Sequence, residues 1–258
     1  TYRAAVIVGP DAPVSEKLDL LGRGETHSCI INDIFNPDAK TVFVFTGMGP
    51  QWWGMGRDLY NQEPVFRENI QQCDALLKQY VDWSPVDELF EGRDISRMDR
   101  SLYAQPANFV LQIALAELWK SRGVSPDFVL GHSVGEIAAA VYSGMITLED
   151  GTKIVCLRAR LQSEVAGKGG MLAVGISPEE GEETIRGLTN LVTIGAVNSP
   201  ISITLSGDQD VLAQLQAEFE SKGVFNRKLN VDVAYHSMQM DELRTRFLDG
   251  LRDISPGS

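Results

Sequence analysis

Ser133 lies in Gly131-His132-Ser133-Val134-Gly135, after an apolar run from Phe128 and directly before the helix-prone Glu136-Ile137-Ala138-Ala139-Ala140-Val141. Strand, Gly-x-Ser-x-Gly, helix is the layout of a nucleophile elbow. The turn is too sharp for bulky neighbours, so glycines flank the serine and its hydroxyl stands at the tip. The following helix points its free N–H groups at the same spot. The Val134 N–H is thereby placed to bind the oxyanion that develops when the serine attacks a carbonyl. A serine nucleophile needs a base, and the chain holds only His27, His132 and His236. His27 lies in a mixed N-terminal connector. His132 adjoins the serine, so its ring should point away from the hydroxyl and line the pocket. His236, which follows the last predicted strand, is the best-placed base. Gln51 sits in a glycine-rich loop just after a predicted strand, where a backbone can approach a ligand closely.

Arg158 is one turn from Ile154 and three residues from Leu161, on the apolar stripe of a predicted helix. An inward guanidinium is costly without an anion. It either snorkels, pairs with a distant carboxylate, or grips a substrate carboxylate through two parallel hydrogen bonds.

Composition narrows the classes. The 258 residues are 43% hydrophobic, ample for one large domain or a domain with an insertion. A formal charge of −12 argues against nucleic acid and anionic membranes as partners. No apolar run is long enough to span a bilayer and no signal peptide is evident. Cys29, Cys73 and Cys156 are scattered and odd in number, which fits neither a disulfide framework nor a zinc site. A reducing, cytoplasmic setting follows as the expectation. The chain starts at Thr1 without an initiator methionine, which predicts a piece of a longer protein.

The elements that must position these residues are predicted as follows. A strand covers Tyr2 to Val8, and a helix, turn and extended connector cover Asp11 to Asn36. Thr41 to Thr46 reads as a strand buried on both faces. Leu59 to Tyr80 and Gln105 to Arg122 read as helices, the second with Ala107, Val110, Leu111, Ala114, Leu115 and Leu118 at helical spacing and Gly123 as its C-cap. After the elbow, Thr147 to Asp150 opens a helix with a capping-box-like start and an inner stripe of Ile154, Leu157, Leu161 and Val165. From Gly169 the pattern becomes strand (Met171 to Ile176), helix (Pro178 to Leu188), two strands (Leu191 to Val197, Ile201 to Leu205), helix (Asp208 to Lys222) and strand (Val224 to Val233). This βαββαβ order is the ferredoxin-like unit. A helix from Met240 to Arg252 and a turn-like tail, Ile254 to Ser258, end the chain.

Gly131-His132-Ser133-Val134-Gly135-Glu136 resembles the Gly-His-Ser-x-Gly-Glu signature of malonyl-type acyltransferases, the malonyl-CoA:acyl carrier protein transacylases and the acyltransferase domains of polyketide synthases and animal-type fatty acid synthases. Gly47-Met48-Gly49-Pro50-Gln51-Trp52 is similar to the family's Gly-Gln-Gly-x-Gln-Trp loop, with Met48 in place of the first glutamine. Leu157-Arg158-Ala159-Arg160 and Val233-Ala234-Tyr235-His236-Ser237 match two further segments, and the four occur in the family's order along nearly the whole chain.

The resemblance implies an α/β fold. A large α/β-hydrolase-like subdomain (41–168, returning at 235–258) would carry an inserted ferredoxin-like small subdomain (169–234), preceded by a ketosynthase–acyltransferase linker remnant (1–40). It implies Ser133 as nucleophile, His236 as base, the N–H groups of Gln51 and Val134 as oxyanion hole, and Arg158 as the holder of an extender carboxylate. His132, Tyr235 and Val233 would line the acyl site. Malonyl would pass from coenzyme A through an acyl-serine to the phosphopantetheine thiol of an acyl carrier protein, with no bound metal or redox cofactor. A neighbouring ketosynthase domain would be a further partner. Tyr235 stands where the methylmalonyl type has serine and would crowd an α-methyl group, favouring malonyl; Val233, smaller than the histidine usual in the malonyl type, works the other way. Family members continue beyond this chain's last residue with elements that complete the large subdomain, including a carbonyl that orients the histidine. The rival readings are a serine hydrolase or thioesterase sharing the elbow, which would not need Arg158, and an inactive scaffold domain.

Overall fold

The computed structural model describes residues 2–9, 13–34, 36–49, 51–255 and 257. Thr1, Asp11, Pro50, Pro256 and Ser258, which fall in the N-terminal stretch, the glycine-rich loop and the tail, lie outside the described residues. The chain divides into two compact units, Thr1–Thr41 and Val42–Ser258. In the first, β1 (Tyr2–Val6) pairs antiparallel with β2 (Ile30–Ile34), and α1 (Val14–Gly22) lies between them in sequence. The extended connector is thus a paired strand.

In the second unit, β3 (Val42–Phe45) and β4 (Phe128–Gly131) run parallel, Phe45 beside Gly131. The expectation that β3 is buried on both faces is corrected. Phe45 is 4% exposed, but Val44, Phe128 and Leu130 are 59–63% exposed on alternate positions. Alternation puts successive side chains on opposite faces, and the described residues cover one face. Helices α2 (Arg57–Gln62), α3 (Pro64–Leu77), α4 (Pro85–Phe90), α5 (Ser101–Ser121), α6 (Gly135–Tyr142) and α7 (Leu148–Ser163) surround the main core. That core is built from Phe45, Phe66, Ile70, Phe109, Val110 and Val155 with smaller neighbours.

Local chemistry explains most boundaries. The single helix predicted over 59–80 breaks at Glu63, because Pro64 drives the residue before it into extended backbone. Helix α5 starts a turn earlier than predicted, leaving Pro106 inside it, where the ring removes one backbone bond. Thr147 Oγ1 accepts from the Asp150 N–H (3.0 Å) and donates to Asp150 Oδ2 (2.8 Å), so the expected cap of α7 is present. The buried stripe of α7 is Val155, Cys156, Ala159 and Leu161, whereas Ile154 and Leu157 are only partly buried. The predicted stripe holds at its C-terminal half, where Leu161 and Val165 are buried, and shifts at its N-terminal half, where α7 packs on α5.

Strands β5 (Gly169–Val174), β6 (Val192–Ser199), β7 (Ser202–Asp208) and β8 (Asn226–Lys228) form an antiparallel sheet in the order β6-β7-β5-β8. With α8 (Pro178–Thr184) after β5 and α9 (Gln209–Ser221) after β7, the chain follows the βαββαβ order. Leu172, Val174, Ile203, Leu205, Leu212 and Phe219 fill its core. Ser177 closes α8 with a full capping box, and the helix ends at Thr184 rather than Leu188. β8 is far shorter than the strand predicted to Val233. After Leu229, whose N–H still bonds to Met171, the chain bends at Val231-Asp232-Val233, and the Asp232 carbonyl accepts from Gly167. The predicted final helix is a 3₁₀ turn (Met238–Leu243) followed by α10 (Arg244–Gly250).

Candidate active site

β4 delivers the chain into a sharp turn at Ser133, whose φ of 49° lies in the left-handed region that favours glycine. That conformation costs a non-glycine residue on the order of 1–2 kcal/mol. It is held by three backbone bonds: His132 N–H to Phe45 O (2.9 Å), Gly135 N–H to His132 O (2.9 Å) and Glu136 N–H to Ser133 O (3.1 Å). The flanking glycines are required sterically. A Cβ on Gly135 would collide with the Phe45 and Thr46 carbonyls, and one on Gly131 with the backbone of Gly135 and Glu136.

Ser133 Oγ lies 2.9 Å from His236 Nε2, across 103 residues of sequence. Arg158 Nη2 donates to the same oxygen at 3.1 Å. A hydroxyl has one hydrogen, so with Arg158 donating, the serine proton points to His236, as a nucleophile–base pair requires. His236 also has a left-handed backbone, φ 57°. The preceding residue is anchored by Ser206 Oγ, which donates to the Tyr235 carbonyl at 2.5 Å. Ser237 closes the turn, donating to Ala234 O (2.7 Å) and accepting from the Gln239 N–H (3.2 Å). Partial burial, then the charge of Arg158, then His132 hold the His236 pKa below the ordinary histidine value, against a weaker opposing pull from Glu136.

The Arg158 guanidinium donates to Gln105 Oε1 and sits 5.8 Å over the Tyr235 ring, within cation–π range. It makes no ion pair among the described residues. Burial lowers its pKa, while Tyr235 and Glu136 act in the opposite direction. Tyr235 is 4% exposed. Its hydroxyl bonds to Ser101 Oγ, which donates to Asp232 Oδ1 at 2.5 Å. Since Ser101 gives its one hydrogen to the carboxylate, the tyrosine is the donor of the pair. Burial raises the Tyr235 pKa, although the Ser101 bond opposes this.

The side chain of Gln51 accepts from the Gly49 N–H (2.7 Å) and from Asn108 Nδ2 (3.3 Å), which fixes the loop after β3. The backbone N–H groups of Gln51 and Val134 donate to no acceptor among the described residues. His132 is exposed and packs its Nδ1 over Gly47, where an added Cβ would lie 2.7 Å away. It makes no bond to Ser133 among the described residues. Val233 is fully buried with Leu161, Val165, Met171 and Leu243. Its side chain packs in the same buried cluster as Tyr235, the neighbouring residue also expected to line the acyl site. His27 belongs to the first unit and accepts from the Cys29 N–H at 3.2 Å. Burial pushes the Cys73 and Cys156 thiols up to about 12, so neither is a nucleophile near neutral pH.

Four residues missed in the sequence stand on one face of α5. Ser101, Gln105, Asn108 and Gln112 follow i, i+4, i+7, i+11 spacing. Their contacts reach Asp232 and Tyr235, Arg158, Gln51 and, from Gln112 Nε2 at 2.7 Å, the Thr46 carbonyl. The available signal was a polar line through an otherwise apolar helix.

This geometry can be set beside known proteins. The profile of the family described as "Acyl transferase domain" matches residues 42–258. The chain is 39% identical over 253 residues, 98% of its length, to "Polyketide synthase GfsE" of Streptomyces halstedii, of which it spans 6%. It is 43% identical over 214 residues, 83% of its length, to "Erythronolide synthase EryA3" of Saccharopolyspora erythraea, of which it spans 7%. Among solved structures, the acyltransferase domain from module 8 of the salinomycin polyketide synthase superposes with a TM-score of 0.85 at 37% identity, covering 93% of this chain and 57% of that one. The chain thus belongs to the acyl transferase domain family, as an α/β acyltransferase domain of the polyketide synthase kind.

Proposed function

We propose that this domain moves a malonyl-type extender unit from coenzyme A, through an acyl-enzyme on Ser133, to the phosphopantetheine thiol of an acyl carrier protein, alongside a ketosynthase in polyketide or fatty acid synthesis. The observation that carries the reading is the convergence on Ser133 Oγ of His236 Nε2 at 2.9 Å and Arg158 Nη2 at 3.1 Å. His236 takes the serine proton as Oγ bonds to the thioester carbon. The Gln51 and Val134 N–H groups, without acceptors among the described residues, receive the oxyanion. The carbon–sulfur bond then breaks and the leaving thiolate takes the proton from His236. The carrier thiol repeats the sequence in the opposite direction, and no metal or redox cofactor enters either half.

In malonyl one methylene separates carboxylate from acyl carbon, so its cationic partner must lie close to the nucleophile. Arg158 does, and in the absence of substrate it bonds to the serine itself. A neutral ester would leave that buried guanidinium without an anion, which favours transfer of a dicarboxylic acyl group over hydrolysis of neutral esters. Tyr235, pinned by Ser101 beneath Arg158, is a fixed wall that favours malonyl over methylmalonyl. Residues 1–40 would be a ketosynthase–acyltransferase linker, and 41–168 with 235–258 an α/β-hydrolase-like large subdomain. The inserted 169–234 would be a ferredoxin-like unit, supported by the sheet order β6-β7-β5-β8. Free Cys29, Cys73 and Cys156 fit a reducing, cytoplasmic setting; no helix among the described residues is long and apolar enough to cross a membrane. The test is incubation with malonyl-CoA and intact-protein mass measurement. One malonyl adduct is expected, lost in Ser133→Ala; a full adduct in that variant would remove Ser133 from the mechanism.

A further inference from the structure

The turn that carries His236 is seated on the antiparallel sheet of β5 to β8. Ile203 and Leu205 of β7 face the core under α8 and α9. Alternation puts Ser206 on the opposite face, where it is fully buried and donates its hydroxyl to the Tyr235 carbonyl at 2.5 Å. Among the described residues nothing else donates to that carbonyl. The carbonyl enters a notch in the sheet. β6 and β7 lose register between Ile194 and Ala196, which makes Gly195 the extra residue of a bulge. A Cβ on Gly195 would lie 3.0 Å from the Ser206 Cβ and 3.3 Å from the Tyr235 oxygen. On β5, a Cβ on Gly169 would fall 2.7 Å from the Ala234 Cβ, so the residue before Tyr235 is seated on the sheet as well.

The peptide unit is planar. A fixed Tyr235 carbonyl therefore also fixes the His236 N–H, and with it the rotation that gives His236 its φ of 57°. A non-glycine residue keeps a left-handed backbone only where its surroundings over-determine it. The imidazole reaches Ser133 Oγ at 2.9 Å from that conformation. The bonds of Ser237 to Ala234 O and the Gln239 N–H close the turn but do not touch the peptide between 235 and 236. We infer that Ser206, with the bulge at Gly195 that admits its acceptor, is the positioning residue of the base: it holds His236 in the backbone conformation from which the ring meets Ser133. It touches none of the reacting atoms and acts through the Tyr235–His236 peptide.

The inference rests on the reading of Ser133 and His236 as nucleophile and base, and the experiment separates it from the acyl-transfer reading. In the full polypeptide, Ser206→Ala is compared with wild type in kcat and KM for acyl-enzyme formation from malonyl-CoA. A second assay measures capture of Ser133 by a fluorophosphonate: the Oγ–phosphorus bond forms, fluoride leaves, and the serine proton passes to His236. Misplacing a reacting group by about 1 Å costs on the order of a hundredfold, so kcat and the capture rate should each fall roughly tenfold to a hundredfold. KM should hold. Made in His236→Ala, the same substitution should cost almost nothing further, because no ring is left to misplace. Gly195→Ala keeps the hydroxyl but crowds the carbonyl and should follow the same pattern. Unchanged rates, an effect on KM alone, or an equal fall with and without His236 overturns the inference, the last by showing that Ser206 supports only the fold. If wild type is captured by the fluorophosphonate but takes no malonyl, the acyl-transfer reading fails and the capture rates still decide the role of Ser206. A Ser133 inert to both reagents overturns both.

Discussion

If the proposed function holds, replacing Arg158 by alanine should abolish the preference for dicarboxylic over neutral acyl groups. The guanidinium meets Gln105 and Ser133 but no carboxylate among the described residues, and in the proposed function an anionic acyl group would pair with it. A desolvated, hydrogen-bonded charge pair that loses one partner costs about 2–5 kcal/mol. At about 1.4 kcal/mol per factor of ten, malonyl loading should lose roughly thirtyfold to several-thousandfold in kcat/KM. Acetyl loading makes no such pair and should change little.

A second effect follows from the proximity of Arg158 to His236. The arginine charge depresses the histidine pKa, after burial as the first cause. Only the neutral ring accepts the serine proton, so activity is lost as pH falls through that lowered value. Without the arginine, imidazolium is easier to form, and the acid limb of kcat/KM, which reports the free enzyme, should move to higher pH. The assay is quenched-flow mass measurement of the acyl-enzyme with malonyl-CoA and acetyl-CoA across the histidine range. An equal fall for both substrates, or an unmoved acid limb, would refute the reasoning.

His236→Ala should slow loading by roughly 10²- to 10⁴-fold, the usual worth of a positioned base, whereas His132→Ala should stay near wild type; the reverse order in single-turnover rates would exchange their roles. Ser101→Ala and Tyr235→Phe each break the same hydroxyl pair, so each should raise the methylmalonyl-to-malonyl ratio and the double variant should add little more, with coupling of about 0.5–3 kcal/mol; additive effects in direct competition would show that the two act separately. Asn108→Ala frees the Gln51 side chain and should lower kcat more than it raises KM, through a looser oxyanion donor; a pure KM effect would place Asn108 in substrate binding. Gly135→Ala puts a Cβ against the Phe45 carbonyl and should destabilise folding by more than about 3 kcal/mol in denaturant titration, where a near-normal midpoint would show that β3 and the elbow can separate.

The features legible in the sequence were those set by neighbours along the chain. The elbow is one, because the glycines at 131 and 135 answer steric demands made within a few residues of Ser133. The caps at Thr147 and Ser177 and the βαββαβ order are others, since helix starts and strand alternation are short-range. The four family segments were readable for the same reason.

Tertiary structure decided what depends on distant segments meeting. The 2.9 Å approach of Ser133 to His236 spans 103 residues and rests on a left-handed backbone at a histidine, which sequence gives no reason to expect. Arg158 could be placed on a helix face but not given its contacts, because the stripe that is buried depends on which helix packs against α7. Only the bend after β8 brings Val233 and Tyr235 into one buried cluster with Leu161, Val165, Met171 and Leu243. The polar face of α5 is the clearest case: Ser101, Gln105, Asn108 and Gln112 carry no motif, and their purpose exists only because Asp232, Arg158, Gln51 and Thr46 are brought to them by other elements of the fold.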